Sequence, residues 1–157
     1  MATESERKFL VASDDWRNHV VETVTIRQFY VMADSDRSLR MRIRNGEQAK
    51  LTLKLGAAKR EREEFEYPSS LSEADEMARF AIGDIIEKTR NIVPHHSLHF
   101  EIDEFSGPLA GLVLAELETT ADMDASSLPV WLGREVTGDA RYYNANLALN
   151  GMPDTAS

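Results

Sequence analysis

Glu4 and Glu6 stand two residues apart near the N-terminus, and Glu116 and Glu118 repeat that spacing far along the chain. Hard divalent cations need converging oxygens of this kind. Arg40, Arg42 and Arg44 form a third set at the same spacing. Like charges so close repel unless something anionic sits among them. Carboxylates to hold a metal and cations to hold phosphates together compose a site for phosphoryl transfer.

A spacing of two is the period of a strand, so these residues require strands to position them. Alternation and turn signals divide the chain into eight candidate strands, at 4–11, 23–31, 38–45, 49–55, 60–67, 85–92, 98–106 and 110–119. In "ESERKFLV", Glu4, Glu6 and Lys8 share one face while Phe9 and Val11 take the other. "RSLRMRIRN" sets its arginines against Leu39, Met41 and Ile43, and "KLTLKL" sets Lys50, Thr52 and Lys54 against leucines. "REREEFEY" aligns Arg62, Glu64 and Glu66, and "IIEKTRN" aligns Lys88 with Arg90. "HFEIDEF" pairs Glu101 with Asp103, and "LVLAELE" ends on Glu116 and Glu118. Only the strand at 23–31 lacks such a face. Parity says that the charges share a face. It does not say whether that face looks outward, as alternation in an antiparallel sheet normally means, or into a closed barrel, for which eight strands suffice.

Helices and turns supply the frame. Ser13 with Asp14 and Asp15 opens a short helix to about Val20. Ser70 and Glu73 form a capping box ahead of "EADEMARFAI". A last helix is expected from about Asp139 through "ARYYNANLAL". Asn45-Gly46 and Gly107-Pro108 mark tight reversals.

The 157 residues have 42% hydrophobic and 29% charged composition, as expected for one globular domain. Residues 1–157 are therefore read as a single unit with its core at about 3–149 and a frayed tail over 150–157. The chain contains no cysteine, which excludes disulfides and thiolate chemistry. A net charge of −9 argues against nucleic acid as a partner. No apolar run is long enough to span a bilayer. A charged N-terminus without a signal-peptide core makes the cytoplasm the expected location. The oligomeric state does not follow from the chain; a homodimer is compatible with it.

"ESERKFLV" resembles the E-x-E-x-K opening strand of the CYTH superfamily, the triphosphate tunnel metalloenzymes. "RMRI", "LTLK", "EEFEY", "IEKTR", "EIDEF", "GLVLAELE" and "WLGREVTGDARYYN" continue the match in order, from Glu4 to about Leu149. The resemblance implies an α+β fold built on an eight-stranded antiparallel β-barrel with flanking short helices. It also implies a charged tunnel holding a triphosphate and Mg²⁺ or Mn²⁺. By motif, Glu4, Glu6, Asp103, Glu116 and Glu118 look like metal-site carboxylates. Lys8, Arg40, Arg42, Lys54 and Arg90 look like substrate contacts, with Glu64 or Glu66 the acidic position of the fifth strand. Between Arg40 and Lys54 the spacing departs from the family's by one residue, so Arg42/Arg44 is the alternative arginine pair. Lys88 and Lys8 are the candidates for proton transfer or direct action on phosphate, and Arg141 is the C-terminal candidate for substrate contact.

The activity implied is hydrolysis of a triphosphate, with inorganic tripolyphosphate favoured because no base-stacking pocket is evident. Nucleoside or thiamine triphosphate hydrolysis, adenylate cyclisation and non-catalytic polyphosphate binding are the alternatives. "PHHSLH" carries His95, His96 and His99. Its Pro94 places it in a loop between strands, where a metal-ligand role is disfavoured.

Overall fold

The computed structural model describes residues 5–56, 63–119 and 127–154. Among these residues nine strands form one antiparallel sheet: β1 (Ser5–Val11), β2 (Glu22–Ala33), β3 (Arg37–Arg44), β4 (Gln48–Leu55), β5 (Glu63–Ser69), β6 (Ile82–His95), β7 (Leu98–Phe105), β8 (Val113–Thr119) and β9 (Leu132–Glu135). Two short helices, α1 (Leu71–Met77) and α2 (Asn144–Asn150), flank it, giving an α+β fold. Spatial order is β5-β4-β3-β2-β6-β7-β8-β1-β9. All eight expected strands are present. The ninth escaped sequence reading because "LGRE" is too short to alternate and carries Gly133, where a Cβ would lie 3.2 Å from the Leu10 carbonyl oxygen. Among the described residues no ladder joins β5 to β9, so the sheet is not closed into the hydrogen-bonded ring expected of a barrel.

The sheet nevertheless curls. β1 and β4 lie six ladder steps apart, roughly 29 Å in a flat sheet at about 4.8 Å per step. Charges so far apart would be screened from one another. Yet the Glu6 carboxyl on β1 feels Lys54 on β4. Curling brings those walls to face each other.

Register fixes what lies within the curl. Directly opposed residues share a face, and the pairs Lys8–Glu116, Leu10–Leu114, Asp103–Leu114, Arg90–Asp103, Lys88–Phe105, Gln28–Ile86, Gln28–Arg42 and Arg40–Thr52 run across the sheet on one side. The charged faces therefore look inward. At one end this interior is apolar: Tyr30, Ile86, Phe105, Leu112 and Leu114 pack against Tyr142, Leu147 and Ala148. The α2 helix approaches β6 so closely that a Cβ on Gly83, whose φ is +68°, would meet the Ala148 carbonyl oxygen at 2.2 Å.

The opposite face of the sheet carries the remaining core. Phe9, Trp16, Phe100, Ile102, Leu117 and Trp131 make one cluster, and Phe29, Met41, Ile43 and Ala49 pack with Ala74 of α1 in another. Each fully buried side chain of this size contributes about 1.5–3 kcal/mol, which offsets the cost of keeping charges inside. The Ser70 hydroxyl accepts the Glu73 amide, so α1 begins at the expected cap. The helix expected from Asp139 is instead broken: a 3-10 turn at Ala140–Tyr142 is followed by extended Tyr143, and α2 starts only at Asn144. The expected frayed tail over 150–157 is described only to residue 154. Pro153 is buried and Arg141 Nη1 donates to the Asp154 carbonyl at 2.8 Å. Among the described residues, no helix is long and apolar enough to cross a membrane.

Candidate functional site

Two walls of opposite sign face each other across the curl. β3 and β4 supply Arg40, Arg42, Arg44, Lys50 and Lys54, since their opposed positions alternate inward. A cavity of about 450 Å³ lies along this wall, between the three arginines, Lys50, Thr52 and Glu66. β1 and β8 supply Glu6, Lys8, Glu116 and Glu118, with Glu6 opposite Glu118 and Lys8 opposite Glu116.

The arginines lack sufficient counter-charge. Burial, followed by repulsion from Arg40 and Arg90, lowers the Arg42 pKa to about 10. Its Nε donates to Gln28 Oε1 at 2.8 Å, while Arg40 reaches Thr52 Oγ1 at 3.5 Å through Nη2. Arg40 Nε is buried without a hydrogen-bond partner. Buried donors are rarely left so, and an anion among these guanidiniums would satisfy the donor and relieve the repulsion. Arg44, at the strand end, is exposed.

The carboxylate wall shows the reverse imbalance. Burial raises the Glu6 pKa, with repulsion from Glu116 and Glu118 adding to it, against attraction from Lys8 and Lys54. Lys8 Nζ lies 3.4 Å from Glu116 Oε1 and donates to the Tyr142 carbonyl at 3.0 Å. Mutually repelling carboxylates are the donor chemistry a hard divalent cation requires. Glu4 lies outside the described residues. Among the described residues no three His, Asp or Glu side chains converge tightly enough to form a complete cation cage.

Between the walls, β6 and β7 hold a buried ion cluster. Arg90 donates to both oxygens of Asp103, and Lys88 Nζ lies 2.8 Å from Asp103 Oδ2. Lys88 and Asp103 are each only 2% exposed. Burial lowers the Lys88 pKa despite its carboxylate partner. Asp103 is held below its ordinary range because Lys88 and Arg90 outweigh its burial. Both of its oxygens are thus engaged by cations.

Other candidates lie at the margin. Glu64 and Glu66 sit on the edge strand β5, exposed, with Glu66 2.9 Å from Lys50. Arg141 is 41% exposed and gripped by Asp139 at 2.7 Å, so it does not join the interior cations. His95 and His99 belong to the ends of β6 and β7 rather than to the loop expected between them, with His96 in the intervening turn. Sequence reading missed Gln28, which is fully buried, and Asn144, whose Oδ1 accepts from both Gln28 and Lys88. An uncharged glutamine on a strand face shared with Val24, Ile26 and Tyr30 was the only signal available. For Asn144 there was none, because its helix appeared continuous from Asp139.

The CYTH domain profile matches residues 2–147. An inorganic triphosphatase of Acetivibrio thermocellus is 38% identical over 151 residues, covering 96% of each chain. One from Nitrosomonas europaea is 36% identical over 153 residues, covering 94% of this chain and 98% of the relative. The crystal structure of an inorganic triphosphatase superposes with a TM-score of 0.74 at 35% identity, covering 95% of this chain and 96% of the other.

Proposed function

The chain belongs to the CYTH domain family, and on that footing we propose that it is an inorganic triphosphatase, a metal-dependent hydrolase of the phosphoanhydride bonds of tripolyphosphate. The observation that carries this reading is the group of arginines on β3 and β6, mutually repelling and with the buried Arg40 Nε unpaired. A short polyanion supplies what they lack. Relatives of nearly full-length coverage that bear the same activity in their names support it.

Arg40 and Arg42 bind the phosphate chain with planar guanidiniums that match phosphate oxygens, and Arg90, whose Nε and Nη2 are held by Asp103, adds its charge beside them. Lys54 and Lys8 add charge from the facing walls. Glu6, Glu116 and Glu118, joined by Glu4 on its motif, would hold Mg²⁺ or Mn²⁺, which when bound would supply Lewis-acid polarisation of phosphate oxygens and activation of water. Asp103 fixes Arg90 and Lys88 in place. Lys88 already donates to Asp103 and Asn144, so it acts here as a fixed charge and not as the proton acceptor that the sequence allowed. Phosphoryl transfer asks little covalent chemistry of the protein, and alignment with charge stabilisation supplies most of the acceleration.

The test is a phosphate-release screen over tripolyphosphate, ATP and thiamine triphosphate, with Mg²⁺ and Mn²⁺ in turn. Tripolyphosphate is expected to be turned over fastest. Cyclic AMP as the main product from ATP, or tight binding of tripolyphosphate without turnover in either metal, would overturn the reading.

A further inference from the structure

Arg42 and Lys88, on different strands, are joined by two uncharged amides. Arg42 Nε donates to Gln28 Oε1 at 2.8 Å, Gln28 Nε2 donates to Asn144 Oδ1 at 3.0 Å, and Lys88 Nζ donates to the same Oδ1 at 3.0 Å. The direction of the chain is set by its ends. A guanidinium and an ammonium only donate, so Gln28 must turn its oxygen to Arg42 and Asn144 must turn its oxygen to Lys88. That leaves the Gln28 amide nitrogen facing the Asn144 oxygen, the one arrangement in which all three links are made.

We infer that Gln28 and Asn144 are positioning residues that hold Arg42 for phosphate, so that α2 is a working part of the binding site and not only a plug. With Nε anchored on Gln28, the two terminal nitrogens of Arg42 are left to fork onto a phosphate. Gln28 is in turn braced by Asn144, which enters the interior because Leu147 and Ala148 fix α2 against the sheet. Gly83 permits that approach. Networks of this kind couple their members, so that breaking one link loosens the others.

The inference rests on the proposed reading that Arg42 binds phosphate. Its test uses the full chain, with two measurements: metal-free calorimetric binding of tripolyphosphate, and steady-state phosphate release with Mg²⁺. Gln28→Leu and Asn144→Ala are each expected to weaken binding and raise KM about tenfold, with kcat changed less than about threefold. The double variant should be no more than about twofold worse than the weaker single, because both cut the same chain. Asn144→Asp keeps an acceptor oxygen and should recover binding to within about threefold of wild type. Singles within twofold of wild type, multiplying effects in the double, or Asn144→Asp no better than Asn144→Ala would each overturn the inference. Wild-type protein that binds tripolyphosphate without hydrolysing it would sink the proposed activity, while the binding series would still decide this point.

Discussion

Arg90 grips Asp103 with two parallel hydrogen bonds, Nε to Oδ1 at 2.8 Å and Nη2 to Oδ2 at 2.9 Å, from directly opposed positions on β6 and β7. Lys88 shares one of those oxygens. One carboxylate is therefore shared by two interior cations. Asp103→Asn would leave buried Lys88 without its carboxylate and Arg90 with only the 3.4 Å contact to Glu101. Removing one partner of such a cluster costs about 3 kcal/mol or more. Urea unfolding should show a loss of that size at neutral pH, and an unchanged midpoint would refute the assignment.

Arg40 and Arg42 are not replaceable by lysine in the proposed reading, because an ammonium cannot fork onto two phosphate oxygens. Loss of one preorganised donor to a reacting phosphoryl group costs about 100-fold in rate. Arg42→Ala should lower kcat/KM for tripolyphosphate by about that factor, and Arg40→Lys by about tenfold. Arg44→Ala should stay within about threefold, since Arg44 is exposed at the strand end. A larger loss at Arg44 than at Arg40 would instead favour the alternative arginine pair.

Metal dependence should divide the two walls. Chelation with EDTA is expected to abolish phosphate release and added Mn²⁺ or Mg²⁺ to restore it. Glu6→Gln or Glu116→Gln should raise the metal concentration for half-maximal rate by about tenfold or more. Glu101→Gln, whose carboxylate lies 3.4 Å from Arg90, should leave that concentration within about twofold. A Glu6 variant with wild-type metal response would remove Glu6 from the ligand set.

Glu135 fastens β9 to β1. Hydrogen bonds from Arg7, at 2.9 and 2.8 Å, and from Thr137, at 2.7 Å, hold its pKa at about 2 against an ordinary 4.5. A carboxylate with a depressed folded pKa stabilises fully above its ordinary value and loses that contribution as pH falls to the folded one. The advantage of wild type over Glu135→Gln should therefore be complete at pH 7 and shrink between roughly pH 4.5 and 2. The Glu135 side chain is 37% exposed, so the plateau should not exceed about 1 kcal/mol. Denaturant midpoints at pH 7, 4 and 2.5 check both sign and window.

Strand alternation made most of this architecture legible in advance. Every interior charge on β1, β3, β4 and β6 was identified from parity, because a strand's period of two leaves little freedom. Which face was interior depended on curling, which brings Glu6 and Lys54, 48 positions apart in sequence, within electrostatic reach of each other. Residues that work through partners were harder. Gln28 looks unremarkable in its strand until Arg42 is placed opposite it, and Asn144 gains its role only where the chain breaks at Tyr143 and turns inward. Arg141 had the right type and position but a nearer acid, Asp139. Local pairing outcompeted the distant site.

The shared parity of these strands constrains how the sequence can change length. One inserted residue in the middle of β3 would swing Arg40 onto the greasy side beside α1 and drive Met41 among the phosphate-binding cations. Both sets of contacts would be lost together, since a shift by one exchanges the two faces. Insertions within the ladder should therefore survive only in pairs or as bulges, like the irregularity between Tyr30 and Met32 in β2. Single additions belong in the turns, where no face has to be preserved.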